Sequence, residues 1–135
     1  MYNLSLATRL ADNIVDGDSE DPQADMATIL RLAFVELPAN SFWQAHGRTL
    51  APVCMNAIIG WVQSDEWARS EHEKSRMWGF VYRDAVDQIA HTIAYLTGGY
   101  EHARNVMRAL HQTSQLSSEE TLLEWEMEHD VRRNS

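Results

Sequence analysis

Apolar side chains recur along this chain at three- and four-residue spacing, and no stretch alternates apolar and polar positions for long enough to suggest a strand. The pattern predicts an all-α protein. Leu4, Leu6, Ala7, Leu10, Ala11 and Ile14 define a short amphipathic helix over Asn3 to Ile14, which must pack on a body because so short a helix is marginal alone. Val15 to Asp21 reads as an acidic turn, with Gly17 to reverse the backbone. Asp21-Pro22 starts a second helix, with an Asx cap, proline at the first helical position and Asp25 in the first turn. Its expected buried stripe is Met26, Ile29, Leu30, Ala33, Phe34 and Leu37, and it is expected to end before Pro38.

Asn40 or Ser41 should cap a third segment, interrupted by Gly47 and Pro52, so the expectation is a short helix, a bend, and a new helix from Ala51 to Ser64. The run APVCMNAIIGWV is apolar on nearly every side. It reads as a central helix covered on several faces. Asp65 to Thr97 then reads as one long helix closed by Gly98-Gly99, followed by a helix from Tyr100 to Gln112. A last helix, capped by Ser117 or Ser118 with Glu119 and Glu120 in its first turn, carries Leu122, Leu123, Trp125 and Met127. Val131 to Ser135 reads as a frayed tail. The whole predicts a single domain, an irregular bundle of five to seven helices without a sheet.

On a helical wheel, Trp67, Trp78, Val81, Ala85, Ile89, Ile93 and Leu96 share one face of the long segment, with Tyr82 and Val86 at its edge. This is the expected core seam. Its other border carries Glu73, Asp84, Asp87 and His91, the last three at i, i+3 and i+7. Two carboxylates and an imidazole so spaced would supply part of a divalent-metal site, Mg²⁺ or Mn²⁺ by their oxygens. The competing reading pairs Asp84 and Asp87 with Arg83, Arg76 or another arginine, because structural ion pairs imitate functional clusters.

Charge narrows the function classes. The chain carries 20 acids against 11 Lys and Arg, for a net charge of −9. Six acids without a base lie between Asp12 and Asp25, and six more between Glu119 and Asp130, while residues 26 to 116 are balanced at eight of each sign. With no cluster of bases, direct nucleic-acid binding is not expected. The apparent calcium spacing of Asp16, Asp18 and Glu20 fails, with Asp21 at the sixth loop position and Ala27 at the twelfth. No apolar run is long enough for a membrane span, no leader-like segment opens the chain and Cys54 has no partner for a disulfide, so the expected location is cytoplasmic. His46 reads as a border histidine and Cys54 as a buried, inert thiol. His129-Asp130, near the end of the chain, has no following helix to supply further ligands.

Five tryptophans remain to be explained. Trp43, Trp67, Trp78 and Trp125 are interface candidates, since Trp, Tyr, Met and Arg are the types enriched at protein contacts. The leading expectation is therefore a small non-enzymatic binding or regulatory protein, acting through helical contacts with a protein partner or as a homodimer, and needing no cofactor. One alternative is a phosphate-chemistry enzyme dependent on Mg or Mn, with the logic of nucleotide pyrophosphatases. The Glu pair that such enzymes place on the preceding helix is absent here. Another is an acidic decoy of a nucleic-acid-binding protein, which requires the two acidic flanks to form one face.

Overall fold

The computed structural model describes residues 2–110, 112 and 121–134, without the side chains of Tyr2 and residues 130–134. All regular structure among the described residues is helical. None of these helices is long and apolar enough to cross a membrane. The helices are α1 (Tyr2–Asp16), α2 (Pro22–Arg31), α3 (Leu37–Ala39), α4 (Ser41–Ala68), α5 (Glu73–Tyr82), α6 (Asp87–Leu110) and α7 (Leu122–Asn134), with a π-helical stretch, Leu32–Glu36, between α2 and α3. They fall into two compact units, Met1–Ala51 and Pro52–Ser135.

In the first unit, local signals place the ends. Gly17, at φ 77°, closes α1. Its N–H donates to the Ile14 carbonyl and that of Asp18 to the Asn13 carbonyl, which is the glycine-dependent arrangement that satisfies the last carbonyls of a helix. Asp21 caps α2 by accepting from the Ala24 N–H at 3.1 Å, with Pro22 in the first turn, as expected. α1 packs against α2 and the π-helical stretch. Leu32, at the start of the π-helical stretch, is buried, while Phe34, expected in the buried stripe, is 75% exposed. Met26 and Leu30 are also exposed. The expected stop before Pro38 is not observed either. Leu37 keeps helical angles and its N–H donates back to the Leu32 carbonyl, so the backbone stays helical through Pro38 and turns extended only at Asn40.

The Asn40 side chain then accepts from the Trp43 N–H at 3.1 Å and starts α4. α4 is one 28-residue helix, and neither Gly47 nor Pro52 divides it. A proline inside a helix removes one hydrogen bond and crowds one carbonyl. Here the helix continues on both sides of it.

The second unit corrects the long-helix expectation. α4 runs on through Ala68, a turn over Arg69 to His72 separates it from α5, and a second turn over Arg83 to Val86 separates α5 from α6. Arg76 holds the first turn, donating from Nη1 to the Ser70 and Glu71 carbonyls at 3.0 Å and from Nε to Glu126 of α7 at 3.2 Å. Gly99, at φ 82° and ψ −170°, leaves the helical region within α6, so two helical stretches meet there at a kink, as the Gly98-Gly99 pair predicts. Ser117 and Ser118, with Glu119 and Glu120, lie outside the described residues. α7 begins instead with a capping box at Thr121, whose hydroxyl accepts from the Glu124 N–H at 3.1 Å while its own N–H donates to the Glu124 carboxylate at 3.3 Å.

The core of this unit is built on close approach. Ala57, Gly60, Ser64 and Ala68 are buried on one side of α4. A Cβ on Gly60 would meet Tyr82 at 2.9 Å and Ala85 at 3.1 Å. One on Gly79 of α5 would meet the Trp125 ring at 2.9 Å, the Ser64 carbonyl at 3.0 Å and the Ala68 nitrogen at 3.2 Å. Two of those last three atoms are backbone and have little room to yield. Gly79→Ala should therefore destabilise the fold by about 1–2 kcal/mol, the overpacking cost exceeding the helix-propensity gain of about 1 kcal/mol. Thermal unfolding of the variant should show a Tm lowered by several degrees.

Candidate functional site

An exposed apolar stripe lies on α4 and follows from its size pattern. Met55, Ile58, Ile59 and Val62 occur at i, i+3, i+4 and i+7, which makes a single stripe along a helix. The small residues Ala57, Gly60, Ser64 and Ala68 lie on the opposite side, against Tyr82, Ala85 and Gly79. The stripe is left out: its four residues are each between 54% and 59% exposed. Sequence-based reading expects this helix to be covered on several faces. One face is covered, because α5 can approach closely only where the side chains are small.

The chemistry of the stripe is uniform. From Thr49 to Ser64 the chain carries no Asp, Glu, Lys, Arg or His. The first charges past it are Asp65, which pairs with Arg69 at 2.8 Å, and the exposed Glu66. A row of branched and thioether side chains in water, with no charge among them, favours contact with another apolar surface.

Of the four tryptophan candidates, only Trp78 is mostly exposed, at 55%. It lies against Tyr82, with ring centroids 5.8 Å apart, and Tyr82 in turn meets the half-buried Trp67 edge-on at 5.6 Å. Trp43 is half-buried and folds over Gly47, whose Cβ would lie 3.3 Å from the indole nitrogen. Trp125 is core, 5% exposed. It packs edge-on against Phe80 at 5.6 Å and beside His129 at 4.4 Å. His129 is itself buried, with Nδ1 2.8 Å from the Trp125 carbonyl, so the proton must sit on Nδ1 for that bond to form.

The acidic border residues are spread across an interruption of the helix. Asp84 lies in the turn between α5 and α6, with its carboxylate 3.8 Å from the Arg83 guanidinium, which also lies over the Phe80 ring. Asp87 and His91 stand one turn apart at the start of α6, and Glu73 is exposed at the start of α5. The i, i+3, i+7 alignment required one continuous helix, and the turn at 83–86 removes it. Among the described residues no three His, Cys, Asp or Glu side chains come together as a group able to hold a metal ion. Arg76, a candidate partner for Asp84 and Asp87, is paired with Glu126. His46 stacks on Phe42, with centroids 4.5 Å apart.

The four stripe residues were not singled out by the periodicity of apolar positions alone. Side-chain volume carries the signal: within Pro52 to Ala68 the large and small apolar residues separate onto opposite sides of one helix. Compared with protein-family models, curated proteins and solved structures, the chain matches none.

Two measurements follow. Melting temperature should be unchanged by millimolar Mg²⁺ or Mn²⁺, since only a ligand selective for the folded chain raises it; a rise that Asp84→Asn with Asp87→Asn abolishes would restore the metal reading. Burial pushes the Cys54 thiol up, because it disfavours the charged thiolate. The unfolded chain therefore loses this proton first, near pH 8.5, and the contribution of Cys54 to stability falls as pH rises beyond that point. At that pH Cys54 should react with a disulfide reagent more slowly in the folded protein than in urea.

Proposed function

We propose that this chain is a non-enzymatic binding protein that acts through helical protein contacts, and that a second copy of itself occupies the α4 stripe. The observation that carries the proposal is the exposure of Met55, Ile58, Ile59 and Val62 on a helix whose opposite side is already packed. A second copy suits the surface for two reasons. The stripe offers no charge by which a charged partner would be selected. Each copy carries a net charge of −9, and an uncharged strip is where two such copies meet with least repulsion.

Area sets the expected strength. Four apolar side chains a little over half exposed represent on the order of 400 Å² per copy, about half of what a standard interface buries on each partner. Association supported by the stripe alone is therefore reversible and weak, in the micromolar range. Light scattering or sedimentation over a concentration series should show a monomer passing into a dimer. Ile58→Glu or Ile59→Glu places a carboxylate in the middle of the stripe and should weaken the dimer at least about 30-fold, the equivalent of about 2 kcal/mol. The helical circular dichroism should be unchanged. A chain that stays monomeric at millimolar concentration would overturn the proposal.

A further inference from the structure

We infer that the two copies pair through α4 in antiparallel register, about a two-fold axis passing between Ile58 and Ile59; this rests on the reading of the stripe as a self-association surface. The stripe is symmetric about that midpoint. Met55 and Val62 lie equally far to either side, so a two-fold places Ile58 of one copy opposite Ile59 of the other and Met55 opposite Val62. A two-fold interface needs a surface complementary to itself, and apolar residues at mirrored positions provide one, with the long Met55 set against the short Val62.

Charge selects antiparallel over parallel. Glu66 is exposed and stands seven residues after Ile59, on the stripe side of the helix. In a parallel pair the two Glu66 carboxylates would sit side by side at the end of an apolar seam. In the antiparallel pair residue 66 lies opposite position 51 of the other copy, which separates the two carboxylates by roughly 22 Å along the axis. That distance exceeds the screening length of about 8 Å at physiological salt. The opposed helix dipoles favour the same choice.

The register is testable by crosslinking. Met55 and Val62 point along the centre of the stripe. Helix axes 8–10 Å apart, less about 2.3 Å of radius from each helix, bring facing Cα atoms to about 3.4–5.4 Å, the wider part of which is within reach of a disulfide. Met55 and its own symmetry mate are offset by about 10 Å along the axis, which is too far. Two full-length proteins are needed, Cys54→Ser with Met55→Cys and Cys54→Ser with Val62→Cys, each checked by circular dichroism for folding and by light scattering for association. Oxidised separately they should remain uncrosslinked; mixed and oxidised, they should give a disulfide-linked dimer on a non-reducing gel.

Crosslinking of each protein when oxidised alone would establish a parallel pair and overturn the inference. Folded, dimeric variants that crosslink in neither experiment would overturn it too, and leave self-association through another face. A second measurement avoids new cysteines. Glu66→Lys should not tighten the dimer at physiological salt, since the two carboxylates are screened from one another and the exposed Arg48, on the same face of the helix, falls within one helical turn of position 66 of the other copy. A gain of ten-fold or more would mean that the carboxylates had been adjacent, and would overturn the antiparallel register.

Discussion

The second unit depends on how closely two helix backbones approach. Gly79 of α5 lies on the carbonyl of Ser64 and the nitrogen of Ala68, and Gly60 lies under Tyr82 and Ala85, each without room for a methyl group. Contact of this kind is possible only where one side of α4 is stripped to Ala, Gly and Ser. The bulk of the helix then has to go elsewhere, and Met55, Ile58, Ile59 and Val62 occupy the other side. The packed face and the open face are thus consequences of one size pattern.

The turns around α5 depend on the same contact. To set Gly79 against α4 the chain must turn back after Ala68, and Arg76 holds that turn by binding two of its carbonyls while reaching Glu126 on α7. α7 supplies Trp125, whose ring closes over Gly79 and meets Phe80 edge-on. Trp125 thus serves the interior, as do the buried Ala85 and Ile89. The second turn, at 83–86, has a chemical consequence, because it takes Asp84 off the helix that carries Asp87 and His91. The acidic border is divided by the break that lets α5 pack.

The proposed binding role rests on the balance between an apolar strip and its charged surroundings. The strip interrupts the charged surface of an acidic chain for sixteen residues of sequence, Thr49 to Ser64. Its modest area makes it suited to reversible rather than permanent assembly. The nearest exposed carboxylate, Glu66, bears on orientation more than on strength, as charges at the edge of an interface generally do.

What the sequence determined by itself is the local structure. Asp21-Pro22, Asn40 and Gly17 act on backbone groups within a few residues, so they place helix ends wherever the chain goes, and the all-α class follows from spacing alone. Of the expected core seam, Ala85 and Ile89 are buried, while Trp78 and Val81 are 55% and 63% exposed. The tertiary structure decided which elements run on and which face turns inward. α4 passes through Pro52, Phe34 and Leu30 of the expected stripe lie exposed while Leu32 is buried, and the segment after Asp65 breaks twice. The candidate site shows the difference most directly. That Ala51 to Ser64 is apolar on nearly every side is a property of the sequence; that its small side is buried and its large side exposed depends on how near α5 can come, a distance set by contacts between residues far apart in the chain.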